Sequence, residues 1–162
     1  MADHPGGESV QPIVWYLDDL KVGQTFRSGS MTVSETEIKC FASRFDPQPF
    51  HLDPELAERS PFGGLAASGW HTGAITMRLL VDSMKIAGGI LGFGGQISWP
   101  RPTRPGDVLT VASEVLEVTP SRSNPERGIV TVRNTTSNQR DEVVQVTEMK
   151  LLVPRRPGDP PA

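Results

Sequence analysis

The second half of this chain consists of β-rich runs separated by short turns, and this pattern restricts the fold more than any other feature. The runs cover residues 94–99, 108–118, 127–136 and 142–153. Their connections are rich in proline, asparagine, serine and aspartate, which are the residues that form turns. Because consecutive strands with short connections pair as an antiparallel meander, this half predicts one antiparallel sheet.

A long apolar helix is predicted just before these strands, at about residues 70–87. Ile75, Leu79 and Met84 recur on one side of it, and further apolar residues widen that surface. A helix with so much apolar surface is usually enclosed by a sheet or by a partner. With a further strand predicted at 25–33, the simplest packing wraps the sheet around the helix, which is an α+β hotdog fold.

Two shorter helices are predicted between the first strand and the long helix. Ser34 and Glu37 form a capping-box pattern, so we expect a helix of about three turns to start there. Asp53 followed by Pro54 predicts the start of a second helix that continues to about residue 60, because proline is favoured at the first helical position.

The segment from Asp46 to His51 separates these two helices and carries the most reactive pair of side chains. Pro47 and Pro49 disfavour helix in the residues before them, so we expect an extended or turning loop. Such a loop can direct a carboxylate and an imidazole into one cavity, and this pair suits acid–base chemistry near neutral pH. An ordinary Asx-Pro turn with a structural histidine is the alternative reading of the same residues.

The length of 162 residues with 36% hydrophobic content fits one globular domain. Residues 13–153 are predicted to form that domain. Residues 1–12 and 154–162 are polar or proline-rich, so we expect flexible tails there.

Composition also bounds the partners and the location. The net charge of −3 provides no basic footprint for nucleic acid. No apolar run is long enough for a bilayer and the N-terminus resembles no signal peptide, so we expect a cytoplasmic protein with no membrane partner. The single Cys40 is expected to pack within its helix. His4, His51 and His71 are not at ligand spacing, so no metal is expected.

Three segments resemble, in the same order, the motifs of the MaoC-like dehydratases, the group of the R-specific enoyl-CoA hydratases. Residues 41–55 contain Asp, Pro and His at the family's spacing. Residues 62–70 are similar to the family's loop and the start of its central helix. Residues 98–107 are similar to its later strand and Pro-Gly-Asp turn. The resemblance spans roughly residues 25–153 and implies a hotdog-fold hydro-lyase.

The family's reaction adds water reversibly to a trans-2-enoyl-CoA and gives a (3R)-hydroxyacyl-CoA, or acts on a related branched or dicarboxylic thioester. The resemblance implies this reaction with no cofactor besides the coenzyme A thioester substrate. Asp46 would accept the proton of the water, while His51 would hold the same water and deliver a proton to C2, although the roles could be exchanged. Gly69 would stabilise the thioester oxyanion through its backbone N–H at the start of the long helix.

Several further residues are candidates for contact with the substrate. They are Phe50, Gly64, Ser68, Trp70 and His71. Ser68 could equally be the N-cap of the long helix, His71 a packed residue, and Trp70 a core residue. Arg101 and Arg104 could bind the phosphates of coenzyme A or simply be solvated.

Two other functions remain open at this point. A hotdog thioesterase also uses an acidic residue and a helix N-terminus. A non-catalytic acyl-binding or assembly subunit would account for departures from the family pattern at Phe45, Gln48 and Met77. By resemblance we expect at least a homodimer, with the sites near the interface.

Overall fold

An antiparallel sheet of five strands packs against one long helix in the computed structural model, which describes residues 14–158. A single 3-10 turn at Leu17–Asp19 precedes the first strand. The elements then follow in the order β1 (Thr25–Thr32), α1 (Glu35–Phe45), α2 (Pro49–Leu52), α3 (Pro54–Glu58), α4 (Gly69–Ser83), β2 (Leu91–Ser98), β3 (Val108–Pro120), β4 (Arg127–Ser137) and β5 (Val143–Pro154). This arrangement confirms the predicted α+β hotdog fold.

The strands lie in the order β1-β3-β4-β5-β2, and every neighbouring pair is antiparallel. The hairpins β3–β4 and β4–β5 form the centre of the sheet, as the meander pattern predicted. β1 and β2 are the edge strands, since each has one partner. The pairing of β1 shifts register between Arg27 and Ser30, where Gly29 interrupts the ladder. β2 begins at Leu91, three residues before the predicted start.

Helix α4 packs against β1, β3 and β5 with one face. Ile75, Leu79 and Leu80 on that face are buried and belong to an apolar core that continues into the sheet. The opposite face is exposed and carries the ion pair between Arg78 and Asp82. The helix was predicted to continue to residue 87, but it ends at Ser83. Its apolar surface is also narrower than the sequence predicted, because one face is exposed and charged.

The predicted caps of the short helices are present. The Ser34 hydroxyl accepts from the N–H of Glu37, whose carboxylate accepts from the N–H of Ser34. Asp53 caps α3 by accepting from the N–H groups of Glu55 and Leu56. The prediction for His51 was wrong, because it lies in the short helix α2 and not in a loop. Pro49 occupies the first position of α2, where its missing N–H costs no hydrogen bond.

The C-terminal boundary differs from the prediction. Pro154 is the last residue of β5. Arg155 and Arg156 form ion pairs with Asp18 and Asp19, at 3.2 and 2.8 Å. Ordered structure thus extends past the position where the tail was predicted to begin, whereas residues 1–12 and 159–162 lie outside the described range.

Two further predictions concern exposure. Cys40 is exposed, so the expectation that it packs within α1 was wrong. None of the helices between residues 14 and 158 is both long and apolar enough to cross a bilayer.

Candidate active site

His51 is held in one orientation by a backbone carbonyl. The side chain is buried, with 4% of its surface exposed. Its Nδ1 lies 2.7 Å from the carbonyl oxygen of Ala66. Because a carbonyl oxygen only accepts hydrogen bonds, Nδ1 carries a hydrogen and donates it. In the neutral ring, Nε2 therefore keeps its lone pair and is free to accept a proton.

Asp46 lies at the C-terminal end of α1, where its backbone N–H still donates to the carbonyl of Ala42 at 2.9 Å. Its Oδ2 is 3.4 Å from Nε2 of His51. Its Oδ1 accepts a hydrogen bond of 2.6 Å from the side-chain amide of Gln48. The carboxylate and the imidazole therefore present two acceptor atoms side by side.

The surroundings of Asp46 favour its charged form. Burial raises the pKa of the carboxyl, but hydrogen bonds from Ser68 and Gln48 and the nearby His51 lower it. The net result is a pKa below the usual range, because donors to a carboxylate stabilise the ionised state more than partial burial destabilises it. Asp46 is consequently a carboxylate at neutral pH.

The start of α4 brings backbone donors to the same region. Ser68 is the N-cap and its hydroxyl accepts from the N–H of Trp70 at 3.2 Å, which confirms the predicted cap. Among the hydrogen bonds described for residues 14–158, none uses the N–H of Gly69. A Cβ on Gly69 would lie 2.7 Å from Cε2 of Trp99, so only glycine fits beneath that ring.

These groups surround one cavity of about 460 Å³. Five predicted site residues line it: Asp46, Phe50, His51, Gly69 and Trp70. The remaining lining residues are Gln48, Phe62, Ala67, Thr72, Trp99, Pro100, Arg101, Pro102 and Thr103. The cavity is thus bounded by the Asp46–His51 pair, by the beginning of α4 and by the segment that follows β2.

Three predicted substrate contacts lie outside the lining of this cavity. Ser68 is fully buried as the helix cap and faces Asp46. Gly64 lies behind the cavity, where its carbonyl accepts from Arg104 at 2.6 Å. His71 stacks on Phe41 with ring centroids 4.8 Å apart. Burial lowers the pKa of the His71 imidazole, although the charge of Glu37 opposes this effect.

Arg104 supports the site from behind. Its guanidinium donates to the carbonyls of Phe62, Gly64 and Leu65. These residues precede Ala66, the partner of His51. Three of its five N–H donors are used in this way, so the structure places Arg104 against this backbone segment, whereas the sequence suggested a phosphate ligand or a solvated side chain. Arg101 is exposed at the edge of the cavity.

The sequence suggested that Arg104 binds phosphate or is solvated, and its role in holding this backbone segment was missed. The Pro-Gly-Asp turn that follows Arg104 does indicate that the backbone of Arg104 is fixed. The buried Asp107 of this turn accepts a hydrogen bond from the N–H of Arg104 at 2.8 Å. The targets of the guanidinium lie about 40 residues earlier, and no local pattern indicates them.

The described part of the chain, residues 14–158, contains no group of three His, Cys, Asp or Glu side chains placed to hold a metal ion. The expectation that the reaction needs no metal or cofactor stays a prediction.

A sheet enclosing a central helix, with an Asp–His pair facing the start of that helix, defines a hotdog protein with a candidate acid–base site. Residues 19–138 match the family model for the MaoC like domain. The chain therefore belongs to the MaoC-like dehydratase family.

Three relatives extend this assignment. The crystal structure of the MaoC-like dehydratase from Rhodospirillum rubrum shares 58% identity, covers 88% of this chain and 99% of that chain, and has a TM-score of 0.87. The 3-hydroxybutyryl-CoA dehydratase of Methylorubrum extorquens is 29% identical over 88% of this chain and 87% of its own length. The unliganded R-hydratase PhaJ1 from Pseudomonas aeruginosa is 27% identical, with a TM-score of 0.69 and coverage of 87% of this chain and 86% of that chain. Relatives of this family support a hydro-lyase activity in general.

Proposed function

We propose that this chain catalyses the reversible addition of water to a trans-2-enoyl-CoA to give a (3R)-hydroxyacyl-CoA. The observation that carries the proposal is the 3.4 Å approach of Asp46 Oδ2 to His51 Nε2 in a cavity that also contains the start of α4. The names of two relatives, a 3-hydroxybutyryl-CoA dehydratase and an R-hydratase, support the same reaction.

The pair is suited to hold one water molecule. Since Asp46 is ionised and His51 Nε2 carries a lone pair, both atoms accept hydrogen bonds and neither can donate to the other. A water next to both would donate one hydrogen to each, and its oxygen lone pair would then face the cavity. This arrangement directs the oxygen at the C3 atom of a bound enoyl thioester.

The proton of the water passes to His51 in this mechanism. The lowered pKa of Asp46 makes that carboxylate a weak base, so Nε2 is the better acceptor, the reverse of the preference drawn from the sequence. As the oxygen bonds to C3, the O–H bond breaks and its proton moves to Nε2. The C2–C3 π electrons move to the thioester, and Nε2 then returns the proton to C2. Asp46 stabilises the transient imidazolium.

The start of α4 supplies the stabilisation that the transient enolate needs. The N–H of Gly69 is at the first position of a 15-residue helix, where orphan donors and the positive end of the helix dipole favour negative charge. With the thioester oxygen at Gly69, the alkene carbons extend towards Asp46 and His51. Gly69 thus acts through its backbone alone.

Hydration of crotonyl-CoA tests the proposal, followed as loss of the absorbance of the conjugated thioester. We expect wild type to be active and Asp46→Asn to lose about a hundredfold or more in kcat. The amide has one acceptor oxygen in place of two, and it carries no negative charge to stabilise the imidazolium. Asp82→Asn is the matched control, since Asp82 lies on the exposed face of α4 and forms an ion pair with Arg78. The control should keep wild-type activity.

Other outcomes would identify other functions. Undiminished activity of Asp46→Asn would remove Asp46 from the mechanism. Release of free coenzyme A from the wild type, without hydration, would indicate a thioesterase. Binding of acyl-CoA without turnover of any enoyl-CoA would indicate the non-catalytic subunit.

We also propose that the active form is a homodimer joined along β2. This strand is at the edge of the sheet, all eight of its residues are exposed, and it carries the apolar residues Leu91, Phe93 and Ile97. An exposed apolar edge strand readily pairs with another strand. A second copy of β2 can pair antiparallel with the first about a two-fold axis, which closes the assembly.

A further inference from the structure

Trp99 lies across the start of α4 immediately after β2. A Cβ on Gly69 would meet the indole ring at 2.7 to 3.0 Å. The indole Nε1 donates to Oε1 of Gln145 at 2.9 Å. That same Oε1 is 3.6 Å from a Cβ built on Gly73, one helical turn after Gly69. The bonded pair of Trp99 and Gln145 therefore covers the stretch of α4 between two glycines, where no side chain of the helix intervenes.

An apolar groove lies on the other side of this pair. It has a volume of about 330 Å³ and is lined by residues of α4, β2 and β5. Its apolar lining includes Ala74, Met77, Leu80, Ile97 and Met149.

The groove and the catalytic cavity meet at the two tryptophans and Gln145. Gln145 lines the groove, Trp99 lines the catalytic cavity, and Trp70 lines both. The rings of Trp70 and Trp99 are in edge contact, with centroids 5.5 Å apart. The two spaces are adjacent along α4, and the bonded pair lies between them, with Trp99 on the side of the cavity and Gln145 on the side of the groove.

We propose that Trp99, held by Gln145, separates the catalytic cavity from this groove and restricts the enzyme to short acyl groups. The inference rests on the proposed hydratase function and goes beyond it by naming the residue that sets acyl length. An acyl chain with its thioester oxygen at Gly69 reaches the groove at Gly73, about 6 Å further along the helix, only by passing the indole. A four-carbon acyl group ends before that point, whereas an eight-carbon group has to enter the groove to be buried.

The test compares kcat/KM for trans-2-butenoyl-CoA and trans-2-octenoyl-CoA in the wild type, Trp99→Ala and Gln145→Met. Wild type should prefer the butenoyl thioester. The ratio of octenoyl to butenoyl activity should rise at least tenfold in Trp99→Ala, because the groove then becomes continuous with the cavity. Gln145→Met keeps the side-chain length but removes the acceptor, so it should change the ratio in the same direction by a smaller factor.

Binding provides a readout that does not depend on turnover. Calorimetric titration of Asp46→Asn and Asp46→Asn/Trp99→Ala with butanoyl-CoA and octanoyl-CoA should show the same change in chain-length preference. A protein that hydrates nothing but shows this change would contradict the hydratase proposal and keep the role of Trp99.

The outcomes that would overturn the inference are specific. One is a wild type that already prefers the octenoyl thioester. Another is a ratio of octenoyl to butenoyl activity, and of octanoyl to butanoyl binding, that stays within twofold of wild type in folded Trp99→Ala and Gln145→Met. Failure of both thioesters to bind to either protein would overturn the inference together with the acyl-CoA assignment. Melting temperatures show whether each variant is folded. If Trp99→Ala is not folded, the chain-length ratio of Gln145→Met alone decides whether the inference holds.

Discussion

The Ala66 carbonyl and the Gln48 amide hold the two candidate catalytic side chains, His51 and Asp46, in different ways. His51 is buried and its ring is fixed through Nδ1, so its tautomer is determined by the fold. Asp46 keeps 19% of its side-chain surface exposed, and its charge is maintained by donors around the carboxylate. One residue is therefore controlled by orientation and the other by its protonation state.

Replacing Gln48 by methionine should raise the pKa of Asp46. The substitution keeps the chain length but removes the amide that donates to Oδ1 at 2.6 Å. Since that hydrogen bond favours the ionised form, its loss makes protonation easier and moves the titration to higher pH. Side-chain carboxyl resonances of 13C-labelled protein measure this directly.

The same change should alter acid stability. A carboxyl with a lowered folded pKa contributes stability that is present above the unfolded pKa of about 3.9 and is lost as the pH falls through the folded pKa. Gln48→Met should therefore be less stable than wild type at neutral pH, and this difference should shrink as the pH falls below the unfolded pKa, because the variant has less of this stability to lose. Gln24→Met is the control, because that amide bonds the backbone of Lys21 and is not near Asp46. An Asp46 titration that is the same in both variants would contradict the role of Gln48.

The spacing of Asp46 and His51, with the family resemblance, was enough to identify the pair from the sequence. The orientation of His51 was not predictable, because its partner Ala66 is 15 residues later and contributes only a backbone carbonyl. The proposed reversal of the proton assignment depends on that contact and on the donors to Asp46. A prediction from residue types alone contains neither.

At the scale of elements, the segment between α3 and α4 determines where the Ala66 carbonyl lies. Arg104 holds the preceding residues through the carbonyls of Phe62, Gly64 and Leu65. The N–H of Ala67 donates to the carbonyl of Thr103 at 2.9 Å. The turn after β2 thus fixes this segment on both sides of Ala66.

Arg104→Lys should lower kcat with little change in KM. A lysine has one amine in place of the planar fork and cannot reach three carbonyls at once. The Ala66 carbonyl is then less well placed, and a small misorientation of a catalytic group costs about tenfold to a hundredfold in rate. Steady-state kinetics measures kcat and KM, and the Nδ1–H proton resonance of His51 reports its hydrogen bond.

Arg78→Lys is the matched control, since Arg78 is exposed on α4 and forms an ion pair with Asp82. It should leave the kinetics and the His51 resonance unchanged. If Arg104 had a purely structural role, Arg104→Lys would lower the melting temperature. At temperatures well below melting, its kcat and the Nδ1–H resonance of His51 would stay at wild-type values. That result would contradict a positioning role.

The elements themselves were predicted best where the signals are local. Ser34 with Glu37 and Asp53 with Pro54 define helix starts within four residues, and both are present. The short helix α2 was missed because Pro47 and Pro49 indicate a loop, although Pro49 is also a suitable first residue of a helix. The start of β2 was placed late because three of its eight residues are glycines, which give no strand signal, and its register depends on β5.

At the scale of the whole molecule, the two edges of the sheet differ. β1 is largely polar, which discourages pairing. β2 is exposed along its whole length, with Phe93 and Ile97 exposed by 54% and 38%. It leads directly into Trp99 and Arg101, which line the cavity of the candidate active site. A second copy seated on β2 would therefore lie close to the site.

We predict that wild type sediments at twice its chain mass of 17.6 kDa and that Phe93→Lys/Ile97→Lys sediments as a monomer. A two-fold axis through β2 brings the introduced lysines of both copies together, so like charges oppose pairing while apolar contact is lost. Val22→Lys, at a residue with 68% exposure before β1, is the control and should remain dimeric. Sedimentation equilibrium measures the mass, and the activity of the monomeric variant should fall because the segment after β2 loses its support. A monomeric wild type, or a lysine variant that stays dimeric, would place the interface elsewhere than on β2.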